Sequence, residues 1–337
     1  MKGCKTMLKE TCSGVSTYRT LAYAAGWAAI LLALTPTSSL AQGIAPVVWN
    51  IDGSFSYDNG LAPSVALSGL QIVEVHEGAS GALWYHTGKM EQNGTVSWAT
   101  SAVQYGDGYA PSVAVSGSTV IEVHQSDASG TGPLYYLTGK LSASGTVTWA
   151  ASAIQYDNGS APSIGVSGQT IIEVHQGASG ALWYHVGQIK TNGKVTWSGS
   201  AHYDNGYAPS VAVAGSTVVE VHQADTGVGE LYYHAAEIQA NGTVIWNDSA
   251  FSFDSGIAPS VGASGPTLVE VHQAGTTAGP LWYHTAALQS DGTVTFSGSA
   301  QYDNGYAPRV AVAGPTILEV HQAATTTGPL WYHAGAY

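Results

Sequence analysis

The tripeptide Glu-Val-His occurs six times in this 337-residue chain, with its glutamate at Glu74, Glu122, Glu173, Glu220, Glu270 and Glu319. The successive intervals are 48, 51, 47, 50 and 49 residues. Self-similarity at such a period marks a repeat architecture, in which each copy buries its apolar faces by stacking on its neighbours. We number the copies 1 to 6 by their glutamates. Copy 4, residues 206–246, reads GYAPSVAVAGSTVVEVHQADTGVGELYYHAAEIQANGTVIW and serves as the type.

Four segments of copy 4, residues 210–214, 217–223, 230–238 and 243–251, are rich in Val, Thr, Ile, Tyr and Trp. None carries a 3.6-residue apolar period, so all four read as strands. The joints Ala214-Gly215-Ser216, Gly227-Val228-Gly229 and Asn241-Gly242 have turn chemistry. Four antiparallel strands in about 49 residues describe a propeller blade. The Tyr-Asp-Asn-Gly segments, as at residues 203–206, read first as turns between blades, with the aspartate a local acceptor and a ligand role for it the weaker alternative.

Copy 6 stops at Tyr337 without the fourth strand that carries Trp98, Trp149, Trp197, Trp246 and Phe296 elsewhere. Near the other end, Ala45-Pro46-Val47-Val48-Trp49 stands alone, with Trp49 nine residues before Asp58, as Trp98 is before Asp107. The expected fold is therefore all-β: one domain, residues 42–337, forming a six-bladed β-propeller with four antiparallel strands per blade. The N-terminal strand closes the last blade and removes a sheet edge. The first strands, Ser-Val-Ala-Val in copy 4, are small enough to line a central channel; only Arg309 replaces their serine.

The first 41 residues carry Lys2, Lys5, Lys9 and Arg19, an apolar run over 21–34, and Ser39-Leu40-Ala41. That is the pattern of a signal peptide, cleaved after Ala41, and predicts a secreted protein, extracellular or at the cell surface. No later segment approaches the ~18 apolar residues of a membrane span, so no membrane insertion is expected after signal removal. Both cysteines, Cys4 and Cys12, lie in this leader, leaving the fold to its core and excluding thiolate metal sites. From Gln42 onward Lys89, Lys140, Lys190, Lys194 and Arg309 face 21 acidic residues. Nucleic acid is excluded as a partner, because phosphate binding needs clustered cations.

Side chains alternate along a strand, so the glutamate and histidine of each Glu-Val-His share a face. An aromatic residue and a second histidine share a face of the following strand. Pairing the two strands gives candidate ligand-binding sets, one per copy: Glu74, His76, Trp84, His86; Glu122, His124, Tyr135, with Leu137 in place of histidine; Glu173, His175, Trp183, His185; Glu220, His222, Tyr232, His234; Glu270, His272, Trp282, His284; and Glu319, His321, Trp331, His333.

Three functional readings compete. In the first, a ring stacks on the apolar face of a sugar while carboxylate and imidazole fix its hydroxyls. In the second, Glu and two His bind zinc, a reading set aside because Leu137 breaks the set. In the third, a carboxylate acid and base hydrolyse a glycan at a single site. Beside these stands a structural reading, in which buried glutamates staple blades together and the fourth-strand tryptophans are packing. The near-perfect symmetry favours multivalent binding over one catalytic centre. Tyr135, Tyr232, Leu137, Glu77 and Arg309 depart from the pattern, and copy 2 is expected to bind most weakly.

These features resemble the bacterial and fungal β-propeller lectins, in layout the six-bladed fucose-binding type. The resemblance covers residues 45–337 and rests on the N-terminal closing strand and the recurring aromatic and carboxylate. It implies a sugar between adjacent blades, held by the glutamate series from Glu74 to Glu319 and the rings from Trp84 to Trp331, with histidine standing where that family has arginine. The expected partners are neutral glycans on a cell surface or matrix. No catalytic residue, cofactor or metal is expected. The alternatives are a secreted glycan-active hydrolase or lyase with one site, and a structural or protein-binding propeller.

Overall fold

The strand Thr217–Gln223 is buried from Val218 to Gln223, so neither of its faces meets water. Val218 packs toward copy 3, while Val219 and Val221 pack toward copy 5. The same division holds around the molecule: each apolar core cluster draws residues from two successive copies. The computed structural model describes residues 45–49, 53–289 and 291–337; the signal peptide expected over residues 1–41 lies outside them. Among the described residues no helix is long and apolar enough to cross a membrane.

In copy 4, Tyr207–Ala214, Thr217–Gln223 and Gly229–Ile238 form an antiparallel meander. Its outer edge differs from the single segment expected over 243–251. Val244–Trp246 pairs with one end of the third strand, and the start of Phe251–Ser264 pairs with the other end. Residues 247–250, Asn-Asp-Ser-Ala, lie outside both pieces. From Ile257 onward the strand Phe251–Ser264 pairs with Thr267–Gln273 of copy 5, so one 14-residue strand serves two sheets. It changes sheets at Ala258, which has φ +49° and precedes Pro259. The Ala258 N–H is held by the Gln223 side-chain oxygen at 2.8 Å.

The Tyr-Asp-Asn segments are strand, not the expected turns. In copy 3, Gln155 opposes Tyr135 and Asp157 opposes Leu134, leaving Tyr156 without a partner. Such a bulge breaks the alternation, so Tyr156 and Asp157 both reach toward the next sheet. The following glycine is required by close passage. A Cβ on Gly159 would stand 2.5 Å from His175 Cδ2.

The first strands pack side by side in cyclic order through all six copies, and Phe55–Ser68 meets Ala300–Ala313 to complete the cycle. Ser64, Ser112, Ser163, Ser210 and Ser260 each accept the backbone N–H of the next first strand, at 3.1 to 3.3 Å. Arg309 takes the sixth position. Its guanidinium donates to the Pro308 carbonyl, and burial draws its pKa down to about 10. The N-terminal segment completes copy 6 as expected: Val48 and Trp49 pair with Ala336 and Gly335, and Phe55 opposes Tyr332. Among the described residues the chain is otherwise strands, connecting turns and two single 3-10 turns, Ala79–Gly81 and Ala178–Gly180.

Candidate functional site

The strand register brings each sequence-derived set together. Glu173 opposes His185 and His175 opposes Trp183, and the five other copies keep this register, with Leu137 opposite Glu122 in copy 2. Depth then separates the residues. All six glutamates are fully buried, the first histidine of each set is at most 4 % exposed, and the aromatic rings are half-buried. The glutamates therefore lie behind the histidines and do not reach solvent.

Each glutamate holds an inner layer. In copy 3, Glu173 accepts from the Tyr156 hydroxyl at 2.8 Å and lies 3.1 Å from His175 Nδ1. Tyr57 and Tyr302 meet Glu74 and Glu319 in the same way, at 3.1 and 3.0 Å. These tyrosines come from the preceding sheet, so the carboxylate ties two sheets together. Burial opposes charge on His175, but the Glu173 carboxylate with its hydrogen bond and the Asp157 charge together hold the imidazole above its ordinary value. The same balance acts on His76, His222, His272 and His321, and on His124 without the aspartate. Copy 5 has Phe253 where the others have tyrosine, and Glu270 Oε1 has no donor; in copy 4 Glu220 Oε1 and the Tyr203 hydroxyl are also unpartnered.

The fourth-strand rings cap this layer. Trp98 stacks on Tyr57 at 4.4 Å, Trp197 on Tyr156 at 5.1 Å and Phe296 on Phe253 at 4.4 Å. These are packing contacts between neighbouring sheets.

An outer layer forms around an aspartate that turn chemistry had obscured. Asp157 Oδ2 lies 2.7 Å from His185 Nε2 and 3.7 Å from His175 Nε2. Asp254 stands 2.8 and 3.7 Å from His284 and His272, and Asp303 stands 2.8 and 3.6 Å from His333 and His321. Asp58 and Asp204 take the same place in copies 1 and 4. Burial works against the Asp157 charge, yet the His185 hydrogen bond, the Asn158 N–H and the charge on His175 hold its carboxyl below the usual range. Asp58, Asp254 and Asp303 are likewise lowered. Burial pushes His234 down instead.

Copy 2 lacks this layer altogether. Its segment reads Tyr105-Gly106-Asp107, and register places Gly106 opposite Leu83, where the other copies have aspartate opposite leucine. Asp107 thus occupies the asparagine position. Leu137, 4 % exposed, stands where the second histidine would be. Spacing from the tryptophans alone could not show this, because both segments put an aspartate nine residues on.

Open clefts lie over the outer layer between neighbouring sheets. In copy 1 the cleft is bounded by Asp58, Asn59, His76, Trp84, His86 and residues 100–102; in copy 4 by Asp204, Asn205, His222, Tyr232, His234 and residues 248–250. Copy 2 has a cleft at Asp107, His124 and Tyr135. Their volumes, about 360 to 470 Å³, fall within the roughly 300–1,000 Å³ of small-molecule sites.

No protein-family model matches the chain, and no curated protein matches its sequence. Solved structures do match in fold. A 6-phosphogluconolactonase assignment from Bacteroides uniformis aligns with TM-score 0.54 and 16 % identity over 76 % of each chain. The protein YjhT aligns with TM-score 0.54 and 9 % identity, covering 84 % of this chain and 98 % of its own. The Trypanosoma rangeli sialidase aligns with TM-score 0.52 and 9 % identity over 82 % of this chain, which spans 55 % of the sialidase. At these identities the likeness is one of fold, and the fold is of the all-β propeller type.

Proposed function

We propose that the protein is an exported propeller of six four-stranded blades that recognises neutral carbohydrate in its inter-blade clefts. The observation that carries this reading is the recurrence of one arrangement in copies 1 and 4: a half-buried ring beside a carboxylate and imidazole edges, over a cleft of small-molecule size. The ring supplies stacking area, and the aspartate and histidine edges supply hydrogen bonds to hydroxyls. No arginine recurs, so the reading is of neutral sugars in general rather than fucose. Several modest sites on one rigid ring combine into avidity on a glycan-coated surface.

A second reading, a glycan-active hydrolase, is favoured by the names of two fold neighbours, a 6-phosphogluconolactonase and a sialidase. Against a two-carboxylate mechanism stands the sealing of every glutamate behind its histidine, which leaves the aspartate as the accessible member of each Glu and Asp pair. The test is a glycan array with residues 42–337, followed by calorimetry and product analysis on each binding glycan. Binding above one equivalent per chain without products supports recognition. Product formation abolished by one aspartate substitution supports the hydrolase. Silence on both sinks both readings.

A further inference from the structure

The two rings of the outer layer present a charge problem that their geometry makes explicit. His185 Nδ1 lies 2.9 Å from the Ser198 carbonyl, which only accepts, so Nδ1 carries the proton. In a neutral imidazole, Nε2 is then a lone pair, and it points at the Asp157 carboxylate from 2.7 Å. His175 repeats the situation: its Nδ1 faces the buried Glu173 carboxylate and its Nε2 faces Asp157. Three electron-rich atoms thus converge between two sheets, with a second carboxylate behind them. Copy 5 reproduces this, with His284 Nδ1 on the Ser297 carbonyl, His272 Nδ1 on Glu270, and both Nε2 atoms on Asp254.

We propose that Asp157, His175 and His185, and likewise Asp254, His272 and His284, are sites for a divalent transition-metal ion of the zinc class. In each set the three donor atoms lie within 4.8 Å of one another. Bonds of roughly 2.0–2.2 Å in tetrahedral geometry separate ligand atoms by about 3.3–3.6 Å, so an ion would open the 2.7 Å contact of Asp157 with His185 and draw the two imidazole nitrogens inward from a separation of at most 4.8 Å. Two imidazoles and one carboxylate leave a fourth position, and Asp157 and Asp254, about a quarter exposed, mark the side open to solvent. The outer shell is already built. One histidine is oriented by a carboxylate and the other by a backbone carbonyl, the partners that fix the ring tautomer in metal sites. With the glutamate ionised, a divalent ion brings the set to neutrality.

Copy 2 argues the same way. Leu137 alone counted against a metal, since one lost ligand should not be tolerated in a working site. The register shows that the aspartate is lost there too, to Gly106, so this copy has given up the second and third ligands together. The inference does not depend on what the clefts bind, and it differs from a purely protonic account, in which both rings of a set are imidazolium.

The test uses the full chain, stripped with chelator, loaded with zinc alone at pH 7.5, passed through gel filtration and analysed for metal. At least two zinc ions per chain are expected, falling by one in Asp157→Asn, by one in Asp254→Asn, and by two in the double variant. Cobalt loading of the unmodified chain provides a readout that needs no variant: intense visible bands of a low-coordinate nitrogen and oxygen site are expected. Fewer than two zinc ions per chain, stoichiometry untouched by the double variant, or only the weak bands of hydrated cobalt would each overturn the proposal.

Discussion

Copies 2 and 3 adjoin and share strand order, register and inner layer, yet only copy 3 has the outer one. Each keeps a buried glutamate beside its histidine, Glu122 with His124 at 3.0 Å and Glu173 with His175 at 3.1 Å. Copy 2 replaces the aspartate with Gly106 and the second histidine with Leu137. The inner layer therefore stands without the outer, and the two members of the outer layer are absent together. The comparison separates a framework, present in every copy, from an accessory pair that faces the cleft.

That division makes the largest prediction. Glu173→Ala would strand the Tyr156 hydroxyl and the His175 imidazole in a site with no exposure, and breaking a buried charged pair from one side costs about 3–5 kcal/mol. Asp157→Asn keeps an acceptor at a quarter-exposed position and should cost no more than about 1 kcal/mol. Urea denaturation of the metal-free variants measures both. Equal losses would erase the distinction between framework and accessory layer.

The next effect is smaller and tests whether the outer pair is a unit. Leu137→His in copy 2 buries an imidazole edge without the aspartate that meets it elsewhere, at a cost of about 1–3 kcal/mol. Adding Gly106→Asp should recover part of that loss. A double-mutant cycle with coupling near zero would show that the two positions were lost independently.

Smaller again is the repair of copy 5. Phe253 stacks on Phe296 as Tyr156 stacks on Trp197, but it lacks the hydroxyl that Glu270 Oε1 could accept. Phe253→Tyr adds one buried hydrogen bond to a charged acceptor and should stabilise by about 1.5 kcal/mol. A loss of stability would mean that the hydroxyl does not fit between the sheets.

The period, the strand content and the closing role of Val48 and Trp49 were all legible in the sequence, because turn residues and β-branched runs are local signals. The pairing of Glu173 with His185 was legible too, once a hairpin was assumed. Asp157 was not. It follows a bulge at Tyr156, and a bulge depends on a partner strand more than 20 residues away, so Tyr-Asp-Asn-Gly looks like a turn from within. The depth of Glu173 stood open between a ligand-binding and a stapling role: alternation assigns a face, and only the packing of the next sheet decides whether that face is open. The left-handed Ala258 was missed for the same reason, since its N–H is held by Gln223 from another copy. Copy 2, where Tyr105-Gly106-Asp107 and Leu137 depart together, carries the one signal in the sequence that links the aspartate to the histidine.

Glu77 and Gln176 make the narrowest comparison, because each precedes the same Gly-Ala-Ser-Gly turn. Gln176 accepts the Ala208 N–H through a neutral amide, whereas Glu77 meets the Ala110 N–H with a carboxylate. Burial raises the Glu77 pKa, and the Ala110 N–H only partly offsets it. A carboxyl raised in the folded state is destabilising where it is ionised, so Glu77→Gln should stabilise at pH 7 by roughly 0.5 kcal/mol, the scale of partly exposed substitutions. As pH falls through the raised folded value, the wild-type chain takes up the proton and its deficit shrinks. Below the unfolded value, about 4.3, both forms are neutral and the gap should close. Parallel thermal melts at pH 7 and pH 4 read this directly. A gap that widens on acidification would mean that the carboxylate's hydrogen bond to Ala110, rather than its burial, governs this joint between copies.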